Sequence, residues 1–224
     1  MVEDLAWLGI EWEPPILTQS ERLSAYGEAF DRLLAMGAVY RCTCSRRELA
    51  QMTQAPHEDD DAGHDDEPVY SGRCRPAFGA VSAFDPAANY RFRVPDGEVV
   101  RFEDGNFGAQ AFTAGRDFGD FLVWRRALGP REPGVPSYQL ACAVDDAFMG
   151  VTEVVRGADL LRSTARQILL QRALGLPSVA YFHTKLLRDD AGVRLAKRHD
   201  ALAIRKLRER GMTPAEVRAM FGAT

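Results

Sequence analysis

The chain has 224 residues, of which 46% are hydrophobic, so it can build the core of one large domain or of a domain that carries an insertion. This composition excludes an intrinsically disordered chain, a collagen-like repeat and a small disulfide-stapled protein. The formal net charge is -4, from 28 Lys and Arg against 32 Asp and Glu, so a polyanion such as nucleic acid has to be met by a local basic patch.

Two helices are predicted in the first 37 residues. Residues 2–8 read as the end of a helix, which Gly9 breaks. The second helix carries apolar residues at helical spacing, namely Tyr26, Phe30, Leu33 and Leu34. We expect Ser20 to cap this helix at its N-terminus and Gly37 to end it in the left-handed conformation.

The middle of the chain carries strand patterns. Residues 90–94 and 100–102 alternate apolar and polar residues on either side of a Pro-Asp-Gly turn, which predicts a β-hairpin. The apolar runs 138–144 and 151–155 predict two strands that are covered on both faces.

The last third of the chain is predicted to be largely helical. A helix capped at Ser163 or Thr164 is expected to end at Gly175. Residues 201–210 predict a basic helix, and the Thr-Pro-Ala-Glu run at 213–216 has the spacing of a capping box that begins another short helix.

Charge is unevenly distributed along the chain. Residues 57–67 hold seven acidic residues and no Lys or Arg, which is typical of a solvated, mobile loop. From His183 to the last residue, ten Lys and Arg stand against five Asp and Glu. We therefore expect this C-terminal region to contact any polyanion that the protein binds.

Cysteine usage and the absence of targeting patterns indicate the compartment. Four cysteines are too few for a secreted disulfide framework, so a reducing environment is expected. The N-terminal residues lack the basic and apolar regions of a secretory signal, and no stretch approaches the roughly 18 apolar residues of a membrane span. We expect a cytoplasmic monomer with no membrane partner.

Three cysteines and a tyrosine form a candidate metal site. Cys42 and Cys44 are separated by one residue, and Cys74 follows Tyr70 by four. Thiolates are strong ligands of tetrahedral zinc, whereas tyrosine is outside its usual ligands. The alternatives for the fourth ligand are His57, His64 and a water molecule. The opposing interpretation is three unrelated small hydrophobic side chains. Because no general base accompanies the cluster, we expect a zinc ion here to be structural.

Two groups of residues are candidates for binding anionic substrates. Residues 194–199 follow a turn and carry cations that can neutralise nucleotide phosphates, although basic surface loops are usually only solvated. Tyr138 and Arg156 lie in the predicted apolar strands, where a guanidinium usually has an anionic partner. That partner is either a substrate or a structural salt bridge to Asp145 or Asp146.

Seven short segments together resemble one family, the class I glutamyl-tRNA synthetases, and within it the short glutamyl-queuosine tRNA(Asp) synthetases. The segments follow the family order and lie at residues 4–10, 19–22, 40–46, 70–75, 136–146, 150–161 and 195–201. Their joint occurrence across nearly the whole chain makes the resemblance specific.

The resemblance implies an α/β fold, namely the Rossmann-type catalytic domain of class I aminoacyl-tRNA synthetases, with an inserted zinc-bearing α+β subdomain. Residues 1–38 are then the remainder of the first Rossmann half, and 39–118 form the inserted acceptor-stem-like subdomain, including the acidic loop 57–67. Residues 119–186 form the second Rossmann half, and 187–224 hold the Lys-Met-Ser-Lys-Ser-like loop with basic C-terminal helices.

The resemblance also implies roles for individual residues. The positions of the family's zinc ligands are occupied by Cys42, Cys44, Tyr70 and Cys74. Tyr138 and Arg156 fall on positions that hold the substrate glutamate, the Arg pairing with a carboxylate. Lys197 falls on the second Lys of the Lys-Met-Ser-Lys-Ser loop, where it stabilises the ATP phosphates as the catalytic residue, and Asp159 lies in a segment that lines the ATP site.

Three departures from the family pattern bear on function. The phosphate-binding loop has Arg194 for its first Lys and Ala196 for its Ser, so weakened phosphate contacts are expected. Cys142 stands where discriminating glutamyl-tRNA synthetases tend to carry a polar residue, which favours the queuosine type. The chain begins after the family's first strand and its His-Ile-Gly-His motif, so a fragment, a misplaced start or a truncated descendant is expected.

The leading hypothesis is a ligase that activates glutamate with ATP and Mg²⁺ and transfers it to queuosine in the anticodon of tRNA(Asp). The absence of an anticodon-binding domain at the C-terminal end favours this hypothesis. The alternatives are a fragment of a discriminating glutamyl-tRNA synthetase, a non-catalytic zinc-stabilised tRNA-binding module, and a nucleotide-binding protein unrelated to RNA.

Overall fold

The computed structural model describes residues 2–45, 48, 69–77, 84–127, 134–186 and 203–220. The chain divides into two compact units. One unit combines Met1–Thr18 with Leu186–Thr224, and the other, larger unit is Gln19–Lys185. Every element named below lies within one of these two units.

The described helices and strands follow one another along both units of the chain. In order they are α1 (Val2–Trp7), α2 (Leu23–Ala35), β1 (Val39–Cys42), β2 (Asn89–Phe92), β3 (Val99–Asp104), β4 (Gly108–Thr113), β5 (Phe121–Arg125), β6 (Val135–Pro136), α3 (Tyr138–Phe148), β7 (Glu153–Gly157), α4 (Leu161–Leu174), β8 (Ala180–Thr184), α5 (Ile204–Glu209) and α6 (Pro214–Met220). Single 3-10 turns lie at Gln19–Glu21 and Ala158–Leu160.

The strands of the larger unit form two four-stranded sheets. The first sheet has the order β1-β2-β5-β6 and is antiparallel throughout. The second has the order β4-β3-β8-β7, in which β3 and β4 are antiparallel while β8 runs parallel to both of its neighbours. The fold is therefore α/β with one mixed sheet and one antiparallel sheet.

The core of the larger unit joins α2, α3 and α4 to the first sheet. Tyr26 and Leu33 of α2, Leu140 of α3, Leu170 of α4 and Phe121 of β5 are all at most 1% exposed. Burial of each such side chain contributes roughly 1.5–3 kcal/mol. The predicted helical spacing of α2 is thus confirmed, because its apolar positions form the buried face.

The cap predicted at the start of α2 is wrong. Ser20 lies in a 3-10 turn, and Arg22, the residue before α2, makes no side-chain cap. The turn is tied instead to Asp145 of α3, whose carboxylate accepts hydrogen bonds from Gln19 Nε2 (3.0 Å), Arg22 Nε (2.8 Å) and Tyr26 Oη (2.7 Å). This tertiary contact fixes the start of α2 where a local cap was expected.

The hairpin predicted around residues 90–102 is wrong, although its turn exists. The Glu98 N–H donates to the Pro95 carbonyl over 3.0 Å and closes the turn. The flanking strands, however, enter different sheets, because β2 pairs with β1 and β5 while β3 pairs with β4 and β8. β2 is a central strand, and its Arg91 is only 2% exposed. The alternation of apolar and polar residues in this strand therefore did not mark a face that is exposed to solvent.

The strand predicted for residues 138–144 is also wrong, because these residues begin helix α3. Ser137 caps this helix, and its Oγ accepts a hydrogen bond from the Leu140 N–H at 3.4 Å. A short apolar run does not distinguish a buried strand from a buried helix, and the cap decides the outcome here. The strand predicted at 151–155 is confirmed as β7, shifted by two residues.

Helix α4 begins earlier than its predicted caps. Ser163 and Thr164 lie inside the helix and are at most 1% exposed, and Leu160 precedes the helix without a side-chain cap. The predicted end is confirmed, since Gly175 has φ 63° and accommodates the left-handed conformation that ends α4. Gly37, with φ 67°, likewise follows the end of α2 in the left-handed conformation.

The smaller unit contains α1, α5 and α6. The predicted capping box is confirmed, because the Thr213 N–H donates to Glu216 Oε2 (2.7 Å) while the Glu216 N–H donates to Thr213 Oγ1 (3.3 Å). Arg208 of α5 forms an ion pair with Asp4 of α1 at 2.7 Å. None of the helices in the described ranges combines the length and the apolar character required to cross a bilayer.

Candidate functional site

Arg156 lies near the carboxyl end of β7, where the register of the parallel pair sets it beside His183 of β8. Its guanidinium donates three hydrogen bonds to neutral groups. Nε donates to His183 Nε2 (3.2 Å), Nη1 to Gln167 Oε1 (2.9 Å) and Nη2 to Thr164 Oγ1 (2.7 Å). In open α/β sheets ligands commonly bind at the carboxyl ends of parallel strands, and Arg156 lies at such an end.

No carboxylate among the described residues forms an ion pair with the half-buried Arg156. Asp145 pairs with Arg22 instead. Asp146 lies close enough to be affected, since burial raises its pKa and the charge of Arg156 opposes that rise. Neither of the two salt bridges considered for Arg156 is therefore formed. A guanidinium whose direct partners are all neutral is available to pair with an anionic ligand.

Tyr138 is the first residue of α3, not a strand residue as predicted. With Cys142 and Asp146 it follows the four-residue spacing that aligns side chains on one helical face. Burial raises the pKa of Tyr138 to about 12 and that of Cys142 to about 11, and in both cases Arg156 acts in the opposite direction. At neutral pH this face therefore offers Arg156 an uncharged phenol and an uncharged thiol.

The other residues predicted for the nucleotide site are only partly described. Asp159 lies in the 3-10 turn between β7 and α4 and is half-buried. It follows Arg156 by three residues, at the same strand end. Lys197 lies outside the described residues, as do His57, His64 and the acidic segment 57–67.

Sequence reasoning missed a buried acid and imidazole pair behind Arg156. The Nδ1 of His183 lies 2.6 Å from Asp104 Oδ2, and both side chains are fully buried. Burial acts to raise the pKa of Asp104, but hydrogen bonds from His183 and from backbone N–H groups outweigh it and hold the pKa below its usual range. The available signal was a histidine that directly follows two aromatic residues in a short strand.

The predicted metal ligands converge on a second site. Tyr70 Oη lies 3.7 Å from Cys42 Sγ and 3.4 Å from Cys44 Sγ, and Cys44 Sγ lies 3.5 Å from Cys74 Sγ. All three sulfur atoms lie within 4.8 Å of one another. Ligands about 2.3 Å from a tetrahedral zinc ion are separated by ~3.8 Å, so these distances and this donor set fit zinc.

The protonation of this cluster also suits a metal. Burial acts to raise the pKa of Cys74, but hydrogen bonds from Tyr70 and from the backbone of Thr43 lower it to about 6. The thiolate that zinc requires is therefore the stable form at neutral pH. Burial raises the pKa of Cys44 instead, so a cation is needed to hold that thiol deprotonated.

Arg91 and Gly119 pack against the residues of this candidate metal site. Arg91 Nε lies 3.4 Å from Cys42 Sγ, and its guanidinium stacks 4.1 Å from the centroid of the Tyr70 ring. A Cβ atom at Gly119 would lie 2.6 Å from the Tyr70 backbone nitrogen, so only glycine permits this approach. The first sheet thus fixes the segment that carries Tyr70 and Cys74.

Comparison with curated proteins finds close relatives over nearly the whole chain. A Glutamyl-Q tRNA(Asp) synthetase of Rhodobacter capsulatus is 41% identical over 233 residues, covering 99% of this chain and 80% of that protein. A protein of the same name from Symbiobacterium thermophilum is 43% identical over 228 residues, covering 96% of this chain and 67% of that protein.

A solved structure shares the fold. A glutamate tRNA ligase from Elizabethkingia meningosepticum superposes with a TM-score of 0.64 at 24% identity, over 88% of this chain but only 41% of that one. The family model described as tRNA synthetases class I (E and Q), catalytic domain, matches residues 1–222. The chain therefore belongs to this class I tRNA synthetase family, whose members are ligases.

Proposed function

We propose that the protein activates glutamate with ATP and transfers the glutamyl group to queuosine in the anticodon of tRNA(Asp). The observation that carries the proposal is Arg156, a half-buried cation at a strand end whose three hydrogen-bond acceptors are all neutral. A carboxylate of glutamate supplies the missing negative charge. The names of the relatives at about 40% identity support queuosine as the acceptor.

The first step joins glutamate to ATP. An oxygen of the α-carboxylate attacks the α-phosphorus of ATP, the bond to pyrophosphate breaks, and pyrophosphate leaves with Mg²⁺. Arg156 and Tyr138 hold the amino acid for this attack, and Lys197 and Asp159 contact the nucleotide. The step needs positioning and charge neutralisation and no enzyme nucleophile.

The second step transfers the acyl group to the nucleic acid. A hydroxyl oxygen of queuosine attacks the carbonyl carbon of the glutamyl-adenylate, an ester forms, and AMP leaves while the hydroxyl proton passes to the phosphate or to solvent. We assign part of the tRNA surface to α5 and its C-cap residue, where Arg205, Lys206 and Arg210 are exposed. Such cations bind phosphates with a salt-dependent affinity.

The metal site belongs to the same proposal as a structural centre. Zinc held by Cys42, Cys44, Tyr70 and Cys74 would cross-link β1 to the segment at 69–77. It would stabilise the inserted subdomain that we propose for residues 39–118. No step of the reaction requires the ion.

Lys197→Ala is expected to slow glutamyl-adenylate formation about tenfold to a hundredfold, because one cation facing the developing phosphate charge is removed. Zinc content and thermal stability should remain at wild-type values. Pyrophosphate exchange driven by glutamate measures the step. Arg116→Ala is the matched control, since this exposed cation only pairs with Asp117 at the surface. Normal exchange by Lys197→Ala would remove Lys197 from the site.

The acceptor is tested by ATP-dependent incorporation of labelled glutamate into tRNA(Asp) that carries queuosine. The same tRNA with guanosine at that position and tRNA(Glu) are the comparison substrates. We expect incorporation with queuosine alone. Incorporation into tRNA(Glu) alone would identify a discriminating glutamyl-tRNA synthetase instead. Zinc and tRNA binding without glutamate activation would identify a non-catalytic tRNA-binding module, which the exposed cations of α5 favour as the second candidate.

A further inference from the structure

The geometry points to Asp104 and His183 as positioning residues that fix the guanidinium of Arg156 for a substrate carboxylate. The inference rests on the proposed function, because it assigns the orientation of the group that binds glutamate. Neither residue contacts the substrate in this arrangement. Both act through the Nε–H of Arg156, which donates to His183.

The hydrogen bonds to His183 determine its protonation state. An arginine Nε can only donate, so the His183 Nε2 that lies 3.2 Å away must accept with a lone pair. The proton then resides on Nδ1, which lies 2.6 Å from Asp104 Oδ2 and donates to it. His183 is therefore a neutral imidazole in a single tautomer, held between a carboxylate and a guanidinium.

Asp104 is itself held in one orientation by the backbone. Its Oδ1 accepts hydrogen bonds from the N–H groups of Asn106 (3.1 Å) and Phe107 (2.9 Å), which lie in the turn between β3 and β4. Its Oδ2 accepts from the His183 N–H at 3.1 Å as well as from the ring. The series from turn to carboxylate to imidazole to guanidinium is thus continuous, and its two central members, Asp104 and His183, are buried.

This arrangement supplies a countercharge without competing for the ligand. A carboxylate paired directly with the terminal nitrogens would occupy the donors that a substrate needs. Three of the five guanidinium N–H groups donate to His183, Gln167 and Thr164, and the phenol of Tyr138 also interacts with the guanidinium, so at most two N–H groups are left for a carboxylate. The charge of Asp104 acts across the imidazole and favours one orientation of the Arg156 guanidinium.

Two substitutions of His183 separate positioning from general stability. His183→Asn retains an amide N–H near Nδ1 for Asp104 but removes the acceptor of Arg156. His183→Gln retains an amide oxygen near Nε2 for Arg156 but removes the ring donor to Asp104. We expect His183→Asn to raise the glutamate KM in pyrophosphate exchange about tenfold, with a smaller effect on kcat. The glutamate KM of His183→Gln should lie much closer to that of the wild type.

The melting temperatures of the two variants should follow the opposite order, because His183→Gln leaves the buried Asp104 with fewer donors. The inference would be overturned, and a structural role indicated, if the glutamate KM rose equally in both variants. The same conclusion would follow if the variant with the lower melting temperature had the higher KM. A glutamate KM in His183→Asn equal to that of the wild type would overturn it as well.

A spectroscopic measurement keeps the inference separate from the proposed function. In nitrogen-15 NMR spectra, the Arg156 Nε–H should be protected from solvent exchange in the wild type and in His183→Gln, and exposed in His183→Asn. This signal requires no glutamate. A wild type that shows the protection but binds no glutamate would contradict the proposed function alone, and an unprotected Nε–H in the wild type would overturn the positioning role.

Discussion

Arg156→Ala is expected to lower kcat/KM for glutamate by a factor between about a hundred and several thousand, while the KM for ATP changes little. The substrate carboxylate would enter a half-buried site without its cation, which costs about 3–5 kcal/mol. Glutamate-dependent pyrophosphate exchange at varied glutamate and at varied ATP measures the two effects separately. Arg156→Lys keeps the charge but loses the bidentate geometry, so an intermediate loss is expected.

The control for this substitution is Arg172→Ala. Arg172 lies on α4, is 52% exposed and pairs with Glu98 at the surface, so its loss should leave both KM values unchanged. Equal losses toward glutamate and ATP in Arg156→Ala would contradict a binding role and indicate that Arg156 supports the fold through Thr164 and Gln167.

Two kinds of local feature were predicted correctly, namely glycines that end helices and one capping box. Gly37 and Gly175 end helices as expected, and the capping box at residues 213–216 begins α6. The resemblance to a known family implied that Cys42 and Cys44 lie near Cys74, and the structure brings the three sulfur atoms within 4.8 Å of one another. The helix ends and the capping box depend on backbone geometry, which sequence spacing expresses directly, whereas the ligand set came from the resemblance.

Features that depend on distant residues could not be predicted in this way. Asp104 and His183 are separated by 79 positions, and their contact requires the pairing of β3 with β8. The hairpin prediction failed for the same reason, since the partners of a strand are chosen by burial across the whole sheet. Tyr138 was assigned to a strand because a short apolar run carries no period that excludes a helix.

Cys42→Ser is expected to reduce zinc from about one ion per chain to a small fraction, and to lower the melting temperature by about 10 °C or more. A missing thiolate removes the strongest kind of zinc ligand, and the remaining cluster gains less from binding. In a domain of this size, each kcal/mol lost shifts the melting temperature by roughly 2–4 °C, so the decrease corresponds to several kcal/mol. Elemental analysis and calorimetry measure the two quantities.

Cys142→Ser provides the matched control for zinc content. Cys142 is the fourth cysteine of the chain, and it lies on α3 beside Tyr138, away from the three clustered thiols. Its substitution should leave the zinc content unchanged. If Cys42→Ser kept the full zinc content, the cluster would not be a metal site and its thiols would be packing residues only.

Tyr70→Phe then identifies the fourth ligand. The phenol oxygen lies within 3.7 Å of two cysteine sulfurs and accepts the Cys74 N–H at 2.9 Å, so its removal opens one position of the tetrahedron. Three thiolates and a water still bind zinc, so we expect a weaker affinity in competition with a chelator and a smaller fall in melting temperature than in Cys42→Ser. An affinity equal to that of the wild type would show that one of the other candidate ligands, His57, His64 or a water molecule, completes the site instead of Tyr70.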